Sequence, residues 1–134
     1  MKNESCKQLL EQKGLKKTRV RMALLQHFMN MERAQSYNDL QAALVSEVDK
    51  STLYRNLTSF EQAGIIHRIN DHSGITKYAF GKSPSGGYEH AHFVCECCEN
   101  VYCMEALTPI HFSVPKGFRT NKVQTIIRGI CANC

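Results

Sequence analysis

The order of segments in this sequence predicts an α+β fold in two pieces. Four stretches with helical spacing of apolar residues come first, and two short strand-like runs follow. Beyond the Gly/Ser/Pro-rich stretch GKSPSGG at residues 81–87, the chain turns to β-branched and aromatic runs set among paired cysteines. A chain of 134 residues has room for one ordinary domain or two small ones. A piece of about fifty residues buries too little apolar surface to be secure alone, so the second piece needs a staple.

The first helix is expected from Asn3 to about Lys13, marked by Leu9 and Leu10 and stopped at Gly14. In TRVRMALLQHFMN, Val20, Ala23, Leu24 and Phe28 fall near helical spacing, and Thr18 stands where it can cap the start. Ser36 opens a third helix, SYNDLQAALV, through Leu40, Ala43 and Leu44. The fourth, STLYRNLTSFEQAG, begins near the cap-type residues Asp49 and Ser51. It carries Leu53, Leu57 and Phe60 at i, i+4, i+7 and ends at Gly64. IIHRI, the polar turn NDHSG and TKYAF then read as a hairpin. Three helices, a fourth with exposed polar residues and a hairpin is the order of a winged helix-turn-helix, which places a first domain at residues 1–82. Residues 83–90 form a hinge, and 91–134 a small, mostly β domain with strands at AHFVC, NVYCM and KVQTIIRG. Pro109 and Pro115 argue against a long uninterrupted helix between them.

The net charge of +5 is modest, but Lys13, Lys16, Lys17, Arg19 and Arg21 gather positive charge in one stretch. Such a stretch can lie along a phosphate backbone or solvate a helix end. The start lacks the apolar core of a secretory signal, and no run approaches the roughly 20 apolar residues of a membrane helix. A cytoplasmic protein with no membrane partner is expected.

Seven cysteines is an odd number, and in a reducing compartment paired C-x-x-C units argue for thiolate ligation ahead of disulfides. Cys95 with Cys98, and Cys131 with Cys134, form two such units, each presenting two thiolates from one tight turn. Together they supply the four ligands of a structural zinc, which would close the loop between them and stabilise a thin core. Local disulfides or a redox pair are the alternatives, although neither unit begins a helix in a βαβ arrangement, where thiolate activation is expected. Cys6 reads as a small hydrophobe, and Cys97 takes no assigned role. His90 and His92 flank Ala91 and so face one side of an extended segment. With Cys103 and with His67 on the IIHRI strand they make a candidate second metal site, one whose occupancy would set how the two domains are oriented. The bland alternative is solvated linker and strand histidines.

DKSTLYRNLTSFEQAGIIHRI resembles the recognition-helix segment of the ferric uptake regulator family. HAHFVCECCENV and the closing GICANC resemble that family's H-x-H-x-x-C-x-x-C and final C-x-x-C, and with GLKKTRVR the likeness covers nearly the whole chain. The resemblance implies a homodimeric, metal-dependent repressor of double-stranded operator DNA and no catalysis. It implies an amino-terminal winged helix and a carboxy-terminal dimerisation domain that holds structural zinc beside a regulatory metal. Lys16 matches the basic residue sent toward the minor groove, and Tyr54 and Arg55 the Tyr-Arg pair of the recognition helix. The expected DNA-binding set is Lys16, Arg19, Thr52, Tyr54 and Arg55. Physically, Tyr can contact a thymine methyl or a phosphate, and Arg can reach guanine bidentately. Read without the resemblance, Tyr54 could be a core residue.

The departures narrow the metal. Iron-type members carry a Glu after the hairpin's Tyr and a His before the third helix, where this chain has Ala79 and Ala34. Many zinc-sensing members close the hairpin on a Cys, where Gly81 stands here. His67 falls where some zinc uptake regulators place a sensory ligand, and Cys103 where relatives put an acidic one. A regulatory site of His67, His90, His92 and Cys103, completed if needed by Asp71, His72, Glu89 or Glu105, is rich in N and S donors. That set favours Zn2+ over Fe2+. The region before KGFRTNK is also shorter than in members with a dimer helix there. A zinc-responsive repressor of the zinc uptake regulator type is therefore the leading expectation. An iron- or peroxide-responsive regulator of the same family follows it, and a thiol redox enzyme or a zinc-ribbon adaptor is more remote.

Overall fold

The computed structural model describes residues 2–44, 48–71, 73–81, 91–104, 113–121 and 123–134. The chain divides into two compact units, Met1–Lys82 and Ser83–Cys134.

The first unit contains helices α1 (Lys2–Gln12), α2 (Arg19–Asn30), α3 (Tyr37–Ala43) and α4 (Lys50–Gln62), with strands β1 (Gln35–Ser36), β2 (Ile66–Ile69) and β3 (Lys77–Phe80). The chain leaves α1 and α4 through Gly14 and Gly64, whose φ values of 71° and 76° lie in the left-handed region that a Cβ disfavours. Thr18 accepts the Arg21 N–H to cap α2, and Ser36 and Asp39 exchange side-chain and backbone hydrogen bonds in a capping box on α3. The apolar stripes meet in one core of Cys6 and Leu10 from α1, Leu24, Leu25 and Phe28 from α2, Leu40 from α3, and Leu53, Leu57 and Phe60 from α4, floored by Ile66 and Tyr78 of the sheet. Cys6 is fully buried there, as a small hydrophobe should be. Val20 and Ala23 are only partly buried, and Leu25 takes the inward position that periodicity did not single out.

β2 and β3 form the expected antiparallel hairpin, with His67 opposite Ala79 and Arg68 opposite Tyr78. A third strand joins it, giving the order β1-β3-β2. In the turn, the Asp71 carboxylate accepts from the Ser73 backbone and hydroxyl (3.0 and 2.5 Å) and from Lys77 Nζ (3.2 Å).

The second unit is built on β4 (Ala91–Cys95), β5 (Val101–Met104) and β6 (Ile126–Gly129), in the order β5-β4-β6. β5 returns antiparallel to β4, while β6 pairs parallel to β4's other edge. The strand expected over KVQTIIRG is thus confined to its last residues. Gly129 sits where an added Cβ would stand 3.2 Å from the Phe93 ring, a close approach that a larger residue could keep only if the ring shifted by a few tenths of an ångström. Because β4 and β6 run in the same direction, both end at one edge of the sheet. The two C-x-x-C turns begin there.

Candidate nucleic-acid interface and metal centre

In the first unit, the exposed face of α4 and the start of α2 border a groove of about 530 Å³ lined by Lys16, Thr18, Arg21, Thr52, Arg55 and Asn56 among others. The apolar stripe of Leu53, Leu57 and Phe60 turns inward, which leaves Tyr54 and Arg55 on the opposite, solvent side. Tyr54 is 57 % exposed, so the reading of it as a core residue is corrected. Its ring packs against that of Tyr37, with centroids 5.6 Å apart and planes at 44°, and the Tyr37 hydroxyl donates to the Lys50 carbonyl at 3.3 Å. Arg55 donates to Thr52 Oγ1 at a long 3.5 Å and remains exposed. Lys16, Lys17 and Arg19 are exposed as well. Cations and an aromatic ring on one helix face, beside a basic arm, suit contacts to phosphates and base edges.

Arg21 is the residue that pattern reading left among the basic cluster. Its Nε donates to Asn56 Oδ1 at 3.0 Å, and its guanidinium also donates to the Lys16 carbonyl at 2.7 Å.

In the second unit, the sulfurs of Cys95, Cys98, Cys131 and Cys134 lie within 4.8 Å of one another. Sulfurs about 2.3 Å from a tetrahedral zinc stand about 3.8 Å apart. Cys95 to Cys134 is 3.8 Å and Cys98 to Cys131 is 3.7 Å. The turns are shaped for this. The chain folds back after Cys98 through Glu99, at a left-handed φ of 65°, and the Glu99 N–H donates to the Cys95 carbonyl at 2.9 Å. Backbone N–H groups of Cys98 and Cys131 point at the Cys95 sulfur, at 3.5 and 3.3 Å. These donors favour the thiolate and pull the Cys95 pKa down to about 6. The Cys134 thiol is pushed upward, first by its contact with Cys97 and then by Cys131. A sulfur cluster that holds one thiolate and resists the next is what a divalent cation relieves. The donor set and its spacing fit zinc.

The remaining described candidates sit on β2 of the first unit and on β4 and β5 of the second. His67 on β2 is buried, and its Nδ1 is 2.9 Å from the Gly81 carbonyl. Only an Nδ1–H can satisfy that contact, which in a neutral ring leaves the lone pair on Nε2, the nitrogen that a metal could take. On β4 and β5, His92 is buried directly opposite Cys103 in the antiparallel register. Such pairs carry their Cβ atoms about 4.5–5.5 Å apart on one face. His90, His72, Glu89 and Glu105 lie outside the described residues. Asp71 has both carboxylate oxygens engaged, by Ser73 and Lys77.

The sequence profile of the ferric uptake regulator family matches residues 12–127. The chain belongs to that family. The ferric uptake regulation protein of Bordetella parapertussis is 32 % identical over 133 residues, covering 93 % of each chain. The structure of the ferric uptake regulator from Pseudomonas aeruginosa with manganese superposes with a TM-score of 0.62 at 26 % identity, over 95 % of this chain and 98 % of that one. A zinc uptake regulator complexed with zinc and DNA gives a TM-score of 0.66 at 18 % identity, over 98 % and 91 % of the two chains.

This ferric uptake regulator family member is a metal-responsive transcriptional regulator and not an enzyme. The fold agrees with the α+β winged-helix expectation, followed by a small β unit with a cysteine cluster. Among the described residues no helix is long and apolar enough to cross a membrane. What sequence reading missed on the helix face is Tyr37, Asn56 and the separate part played by Arg21. The one available signal was that Arg21 and Asn56 both lie in the first two turns of their helices, after the cap positions Thr18 and Asp49.

Proposed function

We propose that this regulator is a zinc-responsive repressor that binds operator DNA as a homodimer. The observation that carries the DNA reading is the exposed Tyr54–Arg55 pair on α4 beside the groove that Lys16 also lines. Lys16 and Arg19 serve the backbone and minor groove, and Thr52, Tyr54 and Arg55 serve the major groove. Cys95, Cys98, Cys131 and Cys134 hold a structural Zn2+ that stabilises the second unit. Exposed apolar side chains there, Phe118, Ile127 and Ile130, support pairing with a second copy.

A second, regulatory Zn2+ takes His67 from the first unit and His90, His92 and Cys103 from the second. The His67 Nδ1–Gly81 contact and the His92–Cys103 register support that set, and its imidazole and thiolate donors favour zinc. An ion ligated by both units selects one arrangement of the two. Regulation requires it to bind the DNA-competent arrangement more tightly, by about 1.4 kcal/mol for each tenfold change in DNA affinity. A specific observation favours Fe2+ as the runner-up: the curated relatives at 32 % identity are ferric uptake regulation proteins.

The test is an operator titration by fluorescence anisotropy with the regulatory site emptied by a weak chelator and refilled with Zn2+ or Fe2+. Zinc should tighten binding at least tenfold at lower free concentration than iron does. Equal affinity with the site empty and full removes the regulatory reading, and recovery by iron alone transfers it to iron. Arg55→Ala should weaken binding, and Lys16→Ala should reduce its salt dependence.

A further inference from the structure

We propose that Arg21 is a positioning residue for DNA recognition: it locks the arm that carries Lys16 to the recognition helix, so that the two contacts approach the duplex at a fixed separation. The inference rests on the DNA-binding reading above and deepens it.

The side chain leaves the first turn of α2 and is used on two sides. Nε donates to Asn56 Oδ1 at 3.0 Å, and the guanidinium donates to the Lys16 carbonyl at 2.7 Å. Asn56 is itself oriented, because its Nδ2 donates to the Thr52 carbonyl at 2.9 Å and so turns its oxygen toward Arg21. The Arg21 backbone is pinned in turn by Thr18 Oγ1 at 3.1 Å. One planar, forked cation therefore joins three segments: the arm, the start of α2 and the second turn of α4. A lysine ammonium is a point charge on a flexible stem and does not reproduce a fork aimed at two fixed acceptors. Arg21 is also only half-exposed, whereas Lys16 and Arg55 present their heads to solvent. The physical gain is pre-organisation. An arm held in register with α4 loses less freedom when Lys16 and Arg55 engage DNA together.

A phosphate-binding arginine and a positioning arginine predict different results. The probe is a duplex enriched by the wild-type protein from a random-sequence pool, compared with an unrelated duplex of equal length. Anisotropy is measured with zinc present at several salt concentrations. Under the proposal, Arg21→Ala, Arg21→Lys and the charge-neutral Asn56→Ala each weaken binding to the enriched duplex by about tenfold, which is about 1.4 kcal/mol. They leave the unrelated duplex within about twofold and the salt slope unchanged. Combining Arg21→Ala with Asn56→Ala adds little to either alone, and in a Lys16→Ala background the Arg21→Lys loss shrinks toward nothing. A merely structural role would keep its full effect in that background. Thermal midpoints of all variants are recorded alongside, and Arg21→Lys and Asn56→Ala keep the test open should Arg21→Ala unfold.

The proposal is overturned if Arg21→Lys binds like wild type, or if Arg21→Ala lowers the salt slope by about one phosphate contact. It is overturned equally if the losses persist undiminished without the Lys16 side chain. Failure of the wild-type protein to enrich any duplex overturns the regulator reading itself and the bridge with it.

Discussion

Removing the two distal sulfurs with Cys131→Ser and Cys134→Ser should unfold the second unit and spare the first. An ion held by all four sulfurs closes the chain between Cys98 and Cys131, 33 positions apart. By the chain-entropy estimate for a cross-link of that length, closure is worth about 4 kcal/mol, before any metal–ligand enthalpy. A unit of about fifty residues holds only about 3–8 kcal/mol in total. The loss is therefore comparable to everything that keeps β4, β5 and β6 together. The first unit has its own core of Leu10, Leu24, Phe28, Leu53, Leu57 and Phe60, with no cysteine ligand in it. Amide exchange on the full chain with zinc present, followed peptide by peptide, separates the two units. Protection should vanish over residues 91–104 and 123–134 and persist over 19–30 and 50–62. Equal protection in the variant and wild type would refute the staple, and equal loss in both units would refute the independence of the first core.

Three smaller effects follow from the same geometry. The Asp71 pKa is lowered: burial opposes its ionisation, but hydrogen bonds from Ser73 and Lys77 more than offset it. Its contribution is complete above the unfolded carboxylate value of about 3.9 and is lost as pH falls through the lower folded value. Asp71→Asn should lower the thermal midpoint at pH 7, where it strips the carboxylate charge from a Lys77 side chain only 11 % exposed, and the deficit should narrow steadily on acidification below pH 4. A deficit independent of pH would contradict the ion-pair account. Leu57→Ala, at a position 1 % exposed in the first core, should cost about 2–5 kcal/mol in urea unfolding. Ser36→Ala, which dismantles the capping box, should cost about 1 kcal/mol by the same measurement.

Helices were the most legible part of the sequence because their signals are local and redundant. Leu53, Leu57 and Phe60 repeat on one face, Ser36 and Asp39 cap within three residues, and Gly14 and Gly64 sit where the chain must turn left-handed. The cysteine cluster was legible for a related reason, since two short spacers fix most of its geometry covalently. β1 was not: Gln35 and Ser36 are too few to alternate, and they are a strand only because Tyr78 and Lys77 lie opposite. The direction of β6 was equally hidden, since parallel pairing depends on a crossover and leaves no mark on IIRG itself. Side-chain roles were the least legible. Tyr54 and Leu53 are neighbours of similar apolar character, and only the rotation of α4 puts one outside and the other in.

The parallel placement of β6 also bears on how the chain is born. On a ribosome, β4 can zip to β5 as soon as the tight turn between them emerges, but its other edge must wait for the whole crossover to be synthesised. During that interval the edge is open backbone, and a β6 from a neighbouring nascent copy fits it as well as the chain's own. Were the last strand exchanged between molecules at that stage, each swapped pair would rebuild its sulfur clusters from two polypeptides. Mixing labelled and unlabelled preparations would reveal such pairs as partners that refuse to trade, whereas free trading would show that each copy closes on itself.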